Sequence, residues 1–182
     1  MDKKLFLQTF LQSPSQVGSI IPSSRFMVRK IMELVTKANP QTVAEFGAGT
    51  GVITRPLSQY CEKQKVELFV FEKDERLRGH LEQQFPQLNI YSDALLLPEV
   101  LQDKGLEQVD CIVCGLPFTL FSPDLREKFF NMMDTTLNQQ GTLIMFQFSL
   151  HMLKTLKQRY RSVEVKFIPL NVPPAFVYHC QK

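Results

Sequence analysis

Three carboxylates, each at the end of an apolar run, are the residues of this 182-residue chain with the most capacity for chemistry. Glu45 opens the stretch Glu45-Phe46-Gly47-Ala48-Gly49-Thr50-Gly51, which follows Thr42-Val43-Ala44 and precedes a helix-like segment from Val52 to Leu57. Glycines lack a Cβ, so the backbone can turn tightly there and a ligand can lie against it. The dinucleotide fingerprint differs: its third glycine comes one residue later, and a pyrophosphate would be repelled by Glu45. Glu72 ends Glu67-Leu68-Phe69-Val70-Phe71-Glu72, where a carboxylate can accept both hydroxyls of a ribose. Asp93 ends Leu88-Asn89-Ile90-Tyr91-Ser92-Asp93 and is followed by Ala94. Each feature also has a plainer role. A glycine turn can merely redirect the chain, Glu72 can be a solvated strand-end charge, and Asp93 can cap a helix. Three acids on three successive strand tips, the first with its glycines, point instead to one ligand site.

The elements that must position these acids alternate. Val43–Phe46, Leu68–Phe71, Leu88–Tyr91, Val109–Cys114 and Thr142–Phe148 read as strands, with helices over Thr54–Cys61, Asp74–Phe85, Ala94–Gln102 and Pro123–Leu137. Such alternation predicts an α/β fold: a mainly parallel sheet with helices on both faces. Val163–Ile168 and Phe176–Cys180 are separated by too few residues for a helix, so they should pair as an antiparallel hairpin. Ligands of open sheets bind at the strand C-terminal ends, which puts Glu45, Glu72, Asp93 and Gly115 on one edge. Before the sheet, Asp2–Gln12 reads as an amphipathic helix, Ser13–Ser24 as a loop, and Arg25–Lys37 as a second amphipathic helix capped by Ser23 or Ser24. The simplest division is an N-terminal extension, 1–40, and one globular unit, 41–182.

Composition is that of an ordinary globular protein: 44% hydrophobic, 21% charged, net charge +3. That charge permits an anionic partner without requiring nucleic acid. No apolar run is long enough to span a bilayer, and Leu5-Phe6-Leu7 is interrupted too soon for a signal peptide. Cys111 and Cys114 have a C-x-x-C spacing, but inside an apolar strand a three-residue offset points them to opposite faces. With no second ligand pair, no metal site is expected, and Cys61 and Cys180 read with them as reduced thiols.

The glycine turn resembles the first motif of class I S-adenosylmethionine-dependent methyltransferases. That resemblance implies a Rossmann-like, seven-stranded sheet with an antiparallel last strand, and S-adenosylmethionine as cofactor. Glu45 would then face the cofactor's ammonium, Gly47, Ala48, Gly49 and Gly51 would form its turn, Glu72 would take the ribose, and Asp93 with Ala94 the adenine. The fourth strand runs into Gly115-Leu116-Pro117-Phe118, where amine-methylating members carry an Asn- or Asp-x-Pro-aromatic tetrad. An amine must present its lone pair to the methyl group, so its hydrogens need acceptors, here the loop carbonyls, with Phe118 holding the substrate. Gly115 departs from the tetrad by lacking the side-chain amide that would grip a nucleobase. His151 is the histidine best placed as a base. It is equally expected that no base exists and that the amine binds in its neutral form.

Pro14-Ser15-Gln16-Val17-Gly18-Ser19-Ile20-Ile21-Pro22-Ser23-Ser24, the glycine turn, Gly115-Leu116-Pro117-Phe118 and Asn171-Val172-Pro173-Pro174-Ala175-Phe176-Val177-Tyr178 together resemble bacterial phospholipid N-methyltransferases. That family's properties imply methylation of phosphatidylethanolamine on the inner face of the cell membrane by a cytoplasmic, peripherally bound enzyme. The Val17–Ser24 loop would close over the cofactor. The Asp2–Gln12 helix would lie on an anionic bilayer, with Lys3 and Lys4 near the headgroups and Leu5, Phe6, Phe10 and Leu11 facing the lipid. The plainer alternative packs that stripe on the protein's own core. The related ribosomal RNA adenine dimethylases are the second reading. Their tetrad usually begins with Asn and a helical RNA-binding domain follows the sheet, whereas this chain runs only to Lys182, just past the hairpin. A small-molecule amine methyltransferase and a non-catalytic binding module of the same fold are further alternatives.

Overall fold

The computed structural model describes residues 22–182. The expected Asp2–Gln12 helix, with Lys3, Lys4, Leu5, Phe6, Phe10 and Leu11, lies outside the described residues, as does most of the expected covering loop. Helix α1 spans Pro22–Ala38. It therefore starts earlier than the serine caps predict, and Ser23 and Ser24 are inside the helix. Pro22 suits a first helical position, since its missing N–H would have no intrahelical partner there. Met27, Ile31, Leu34 and Val35 recur at helical spacing and form the buried face of α1, against β4, β5 and β7.

Strand β1 is Thr42–Phe46, α2 Thr54–Gln64, β2 Glu67–Phe71, α3 Glu75–Gln84 and β3 Ile90–Tyr91. A 3-10 turn at Ala94–Leu96 leads into α4, Leu97–Asp103, so the helix expected over Ala94–Gln102 is split. Then come β4 (Val109–Cys114), a second 3-10 turn (Phe118–Leu120), α5 (Pro123–Thr136), β5 (Leu137–Gln147), α6 (Leu153–Arg159), β6 (Ser162–Ile168) and β7 (Ala175–Gln181). The seven strands form one sheet in the order β3-β2-β1-β4-β5-β7-β6. The first five pair in parallel, and β7 runs antiparallel to both β5 and β6. The fold class read from the sequence is therefore the observed one. Strand β5 begins five residues earlier than expected. Leu137 pairs with Val109, residues 138–141 bulge out, and pairing resumes at Thr142 with Cys111. Asp110 anchors the bulge by accepting from the Asn138 amide, and its other oxygen accepts from the backbone N–H of Gln41 and of Thr42.

Cores lie on both faces. Cys111 packs with α1 and α2, whereas Cys114 packs with α4 and α5, the opposite-face arrangement that the spacing predicts. All four cysteines are buried and reduced. Helix starts follow local chemistry. The Asp74 carboxylate caps α3 by accepting from the N–H of Arg76 and of Leu77, and Ser122 caps α5, with Pro123 at its first turn. No described helix is long and apolar enough to cross a membrane.

Candidate active site

The parallel order brings the tips of β1, β2, β3 and β4 to one edge, so Glu45, Glu72, Asp93 and Gly115 do converge there. The turn after β1 is left-handed at Gly47, Gly49 and Gly51 (φ 75°, 59° and 81°), a conformation that side chains disfavour. The three glycines have different surroundings. A Cβ on Gly47 would press on Leu116, and one on Gly51 would strike Phe85 and Leu81 of the α3 region. A Cβ on Gly49 would meet nothing within 4 Å, so that backbone faces open space. Ala48 is turned inward among Val70, Leu81 and Phe85, which leaves only its backbone for a ligand.

Glu72 organises this turn. Its Oε2 accepts from the Gly49 N–H at 2.7 Å and its Oε1 from the Asp74 N–H at 2.9 Å. Each oxygen keeps a second lone pair, so ribose hydroxyls can still be accepted. Glu45 is 2% exposed, and its Oε2 has no hydrogen-bond partner among the described residues. Burial pushes its carboxyl up to about 8, opposed in part by the nearby Thr54 hydroxyl and reinforced by the Glu72 charge. An orphaned buried carboxylate oxygen beside an open glycine turn fits a cofactor with a cationic group. The residues present thus match S-adenosylmethionine.

Asp93 fills its plainer role without being closed to the other. Its Oδ1 accepts from the Leu95 N–H at 3.0 Å, capping the 3-10 turn, and its Oδ2 pairs with Lys73 Nζ at 3.1 Å. Ala94 is buried beneath it.

Three expectations about the acceptor side need correction. Phe118 is fully buried, with its ring 5.3 Å from Phe121, 6.0 Å from Phe129 and 5.1 Å from Phe130, so it does not line the edge. Helix α5 carries Phe129 and Phe130 beneath the loop, and burying a ring among them gives about 1.5–3 kcal/mol that an exposed ring would forgo. The Leu116 carbonyl is not a free acceptor, because it takes the Phe118 N–H at 2.9 Å and the Gln147 side-chain N–H at 2.8 Å. His151 reaches the edge but is exposed, and its Nε2 lies 2.9 Å from an Arg126 Nη1. A guanidinium can only donate, so the lone pair that a base would use is occupied. Pro117 leads into the second 3-10 turn as its cap.

Two residues escaped the sequence reading. Gln147 ends β5 and fixes the Leu116 carbonyl; a lone amide at the end of an apolar strand was its signal. Phe146 has its ring 2.5 Å from where a Gly115 Cβ would stand, and inside an apolar strand it gave no signal.

The exposed large apolar side chains of the described residues share this edge. Val52 follows β1, Leu96 β3, Leu120 β4 and Leu150 β5. Strand β6 is parallel to β5, so Phe167, Leu170 and Val172 at the β6–β7 turn lie at the same end. So does Phe26, since α1 descends from that edge into β1.

Known proteins resemble this chain in sequence and in fold. An ornithine lipid N-methyltransferase of Singulisphaera acidiphila is 30% identical over 185 residues, covering 97% of this chain and 94% of that protein. A ribosomal RNA small subunit methyltransferase A of Chlorobium limicola is 26% identical over 69% of this chain, which spans 46% of that protein. The N-methyltransferase NodS of Bradyrhizobium japonicum WM9, solved with S-adenosyl-L-homocysteine, superposes with a TM-score of 0.76 at 15% identity, covering 98% of this chain and 97% of that one. Residues 19–167 match the methyltransferase small domain, and the chain belongs to that family as a class I S-adenosylmethionine-dependent methyltransferase.

Proposed function

We propose that the chain is an N-methyltransferase that methylates the amine of a phosphatidylethanolamine-type lipid at an anionic membrane surface, as a cytoplasmic, peripherally bound enzyme. The observation that carries this reading is that large exposed apolar side chains, Leu120, Leu150, Phe167 and Leu170 among them, stand at the same end of the sheet as the cofactor edge. Exposed apolar side chains gathered at one end of a domain suit an interaction face, and a lipid substrate has to enter from a bilayer. The near full-length likeness to a lipid N-methyltransferase supports the same substrate class.

When bound, S-adenosylmethionine supplies an electrophilic sulfonium methyl, whose transfer to a nitrogen lone pair leaves a neutral thioether. The chain's part is to bind and align. Glu45 would meet the cofactor's ammonium, Glu72 the ribose, and the Asp93–Ala94 corner the adenine. The acceptor amine enters over Gly115, Leu116 and Pro117. With the His151 lone pair engaged by Arg126, the amine binds neutral and its surplus proton leaves to water.

The test is incubation with methyl-labelled S-adenosylmethionine and vesicles of phosphatidylethanolamine, vesicles of an ornithine lipid, or ribosomal RNA. Label in the ethanolamine lipid supports the reading. Label in the ornithine lipid alone keeps the lipid amine and changes the headgroup. Label in RNA alone establishes the nucleobase reading in its place.

A further inference from the structure

We propose that Phe146 is the specificity residue of the acceptor site. Its ring takes the space beside Gly115 that a side chain on β4 would use, so the site favours a saturated amine that becomes an alkylammonium over an amine that needs a side-chain acceptor. The inference rests on the amine-lipid reading above. A Cβ built on Gly115 would stand 2.5 Å from Phe146 Cζ and 2.9 Å from its Cε1. No real contact is that short, so the glycine and the ring are one unit: while the ring is there, the tip of β4 carries no side chain. Cys114 pairs with Met145, so both residues sit one step beyond the same rung of the sheet. The Gly47 carbonyl lies 3.3 Å from the same point, which sets the ring where the cofactor turn meets the acceptor loop.

The ring packs against the α1–α2 core without being wholly enclosed by it. Ile144, on the same face two residues earlier, is fully buried, whereas Phe146 is only partly so. Three polar groups at this edge are committed elsewhere: the Leu116 carbonyl accepts twice, Gln147 donates to it, and the His151 ring nitrogen meets Arg126. An aromatic face can attract the developing ammonium, and its attraction grows as that cation loses water. A planar amine presented edge-on would meet the ring and find no side-chain amide.

Phe146→Leu keeps apolar volume and removes the ring; Phe146→Tyr keeps the ring. With vesicles of the ethanolamine lipid, Phe146→Leu should lower kcat/KM about 5- to 30-fold while Phe146→Tyr stays near wild type. Phe146→Leu should lose some Tm, because the ring also packs against the α1–α2 core, but cofactor affinity should be unchanged in both variants. A fall in kcat/KM at a temperature where both are folded, restored by Phe146→Tyr, is what a merely structural role would not give. Gly115→Ala should resemble Phe146→Leu, because its methyl displaces the ring. If Phe146→Leu matches wild type on the lipid, Phe146 has no such role although the lipid reading stands. If wild type labels RNA and no lipid, both fall together.

Discussion

Glu45→Gln should uncouple cofactor binding from pH. In the free protein Glu45 is buried and its carboxyl is pushed up to about 8, so at pH 7 it is about nine-tenths protonated. The cofactor's ammonium requires the carboxylate, so binding at pH 7 should release most of one proton. Affinity should rise about tenfold per pH unit up to about pH 7, levelling as the cofactor's own amino group, ordinarily about 8, begins to lose its proton. Deprotonation costs about 1.4 kcal/mol at pH 7. A charged hydrogen bond returns about 1.5–3 kcal/mol. Glu45→Gln should therefore bind only modestly more weakly than wild type at pH 7, with the gap narrowing toward about pH 6. The same shift has a consequence for folding. The folded value is raised above the ordinary 4.5, so this group's contribution to stability is complete below about 4.5 and is lost as pH rises through about 8. Titration calorimetry in two buffers of different ionisation enthalpy reads the proton directly. Equal apparent enthalpies for wild type in both buffers, with affinity flat between about pH 6 and about pH 7.5, would refute the reasoning.

Phe118→Ala should lower Tm strongly, by about 3–5 kcal/mol of stability, since it empties a wholly buried ring site among Phe121, Phe129 and Phe130; a variant of native Tm with slow turnover would return the ring to the substrate. His151→Ala should leave kcat within about threefold and the pH profile unshifted, because removing a general base would cost about a hundredfold or more. Phe6→Glu combined with Phe10→Glu should abolish sedimentation with anionic vesicles while cofactor binding and Tm persist; a large fall in Tm would instead seat that stripe on the protein's own core.

Much of this architecture was legible because it rests on spacing. Runs such as Leu68–Phe71 and Val109–Cys114 are too short and too apolar for surface helices, and the gap between β6 and β7 leaves room for nothing but a hairpin. The acids were legible for the same reason: each is the first charge at or just beyond the tip of an apolar run, and parallel pairing aligns them. Side-chain direction was less accessible. Phe118 looks like an exposed residue of a proline loop until Phe129 and Phe130, which come later in the chain, are packed beneath it. Phe146 reads as one more apolar strand residue, and only its distance to Gly115 gives it a role. Register was also hidden, because the bulge before Thr142 depends on Asp110 and Asn138 meeting across the sheet.

The buried cysteines acquire a different meaning beside this cofactor. S-adenosylmethionine is an alkylating agent, and thiolates are among the best nucleophiles a protein can offer. Cys114 immediately precedes the acceptor loop, and Cys61 is close enough to Glu45 to feel its charge. Burial pushes the thiols of Cys61, Cys114 and Cys180 up to about 12 and raises that of Cys111 as well. A thiol held protonated is a poor nucleophile. The packing that closes the two faces of the sheet therefore also guards the enzyme from methylating itself.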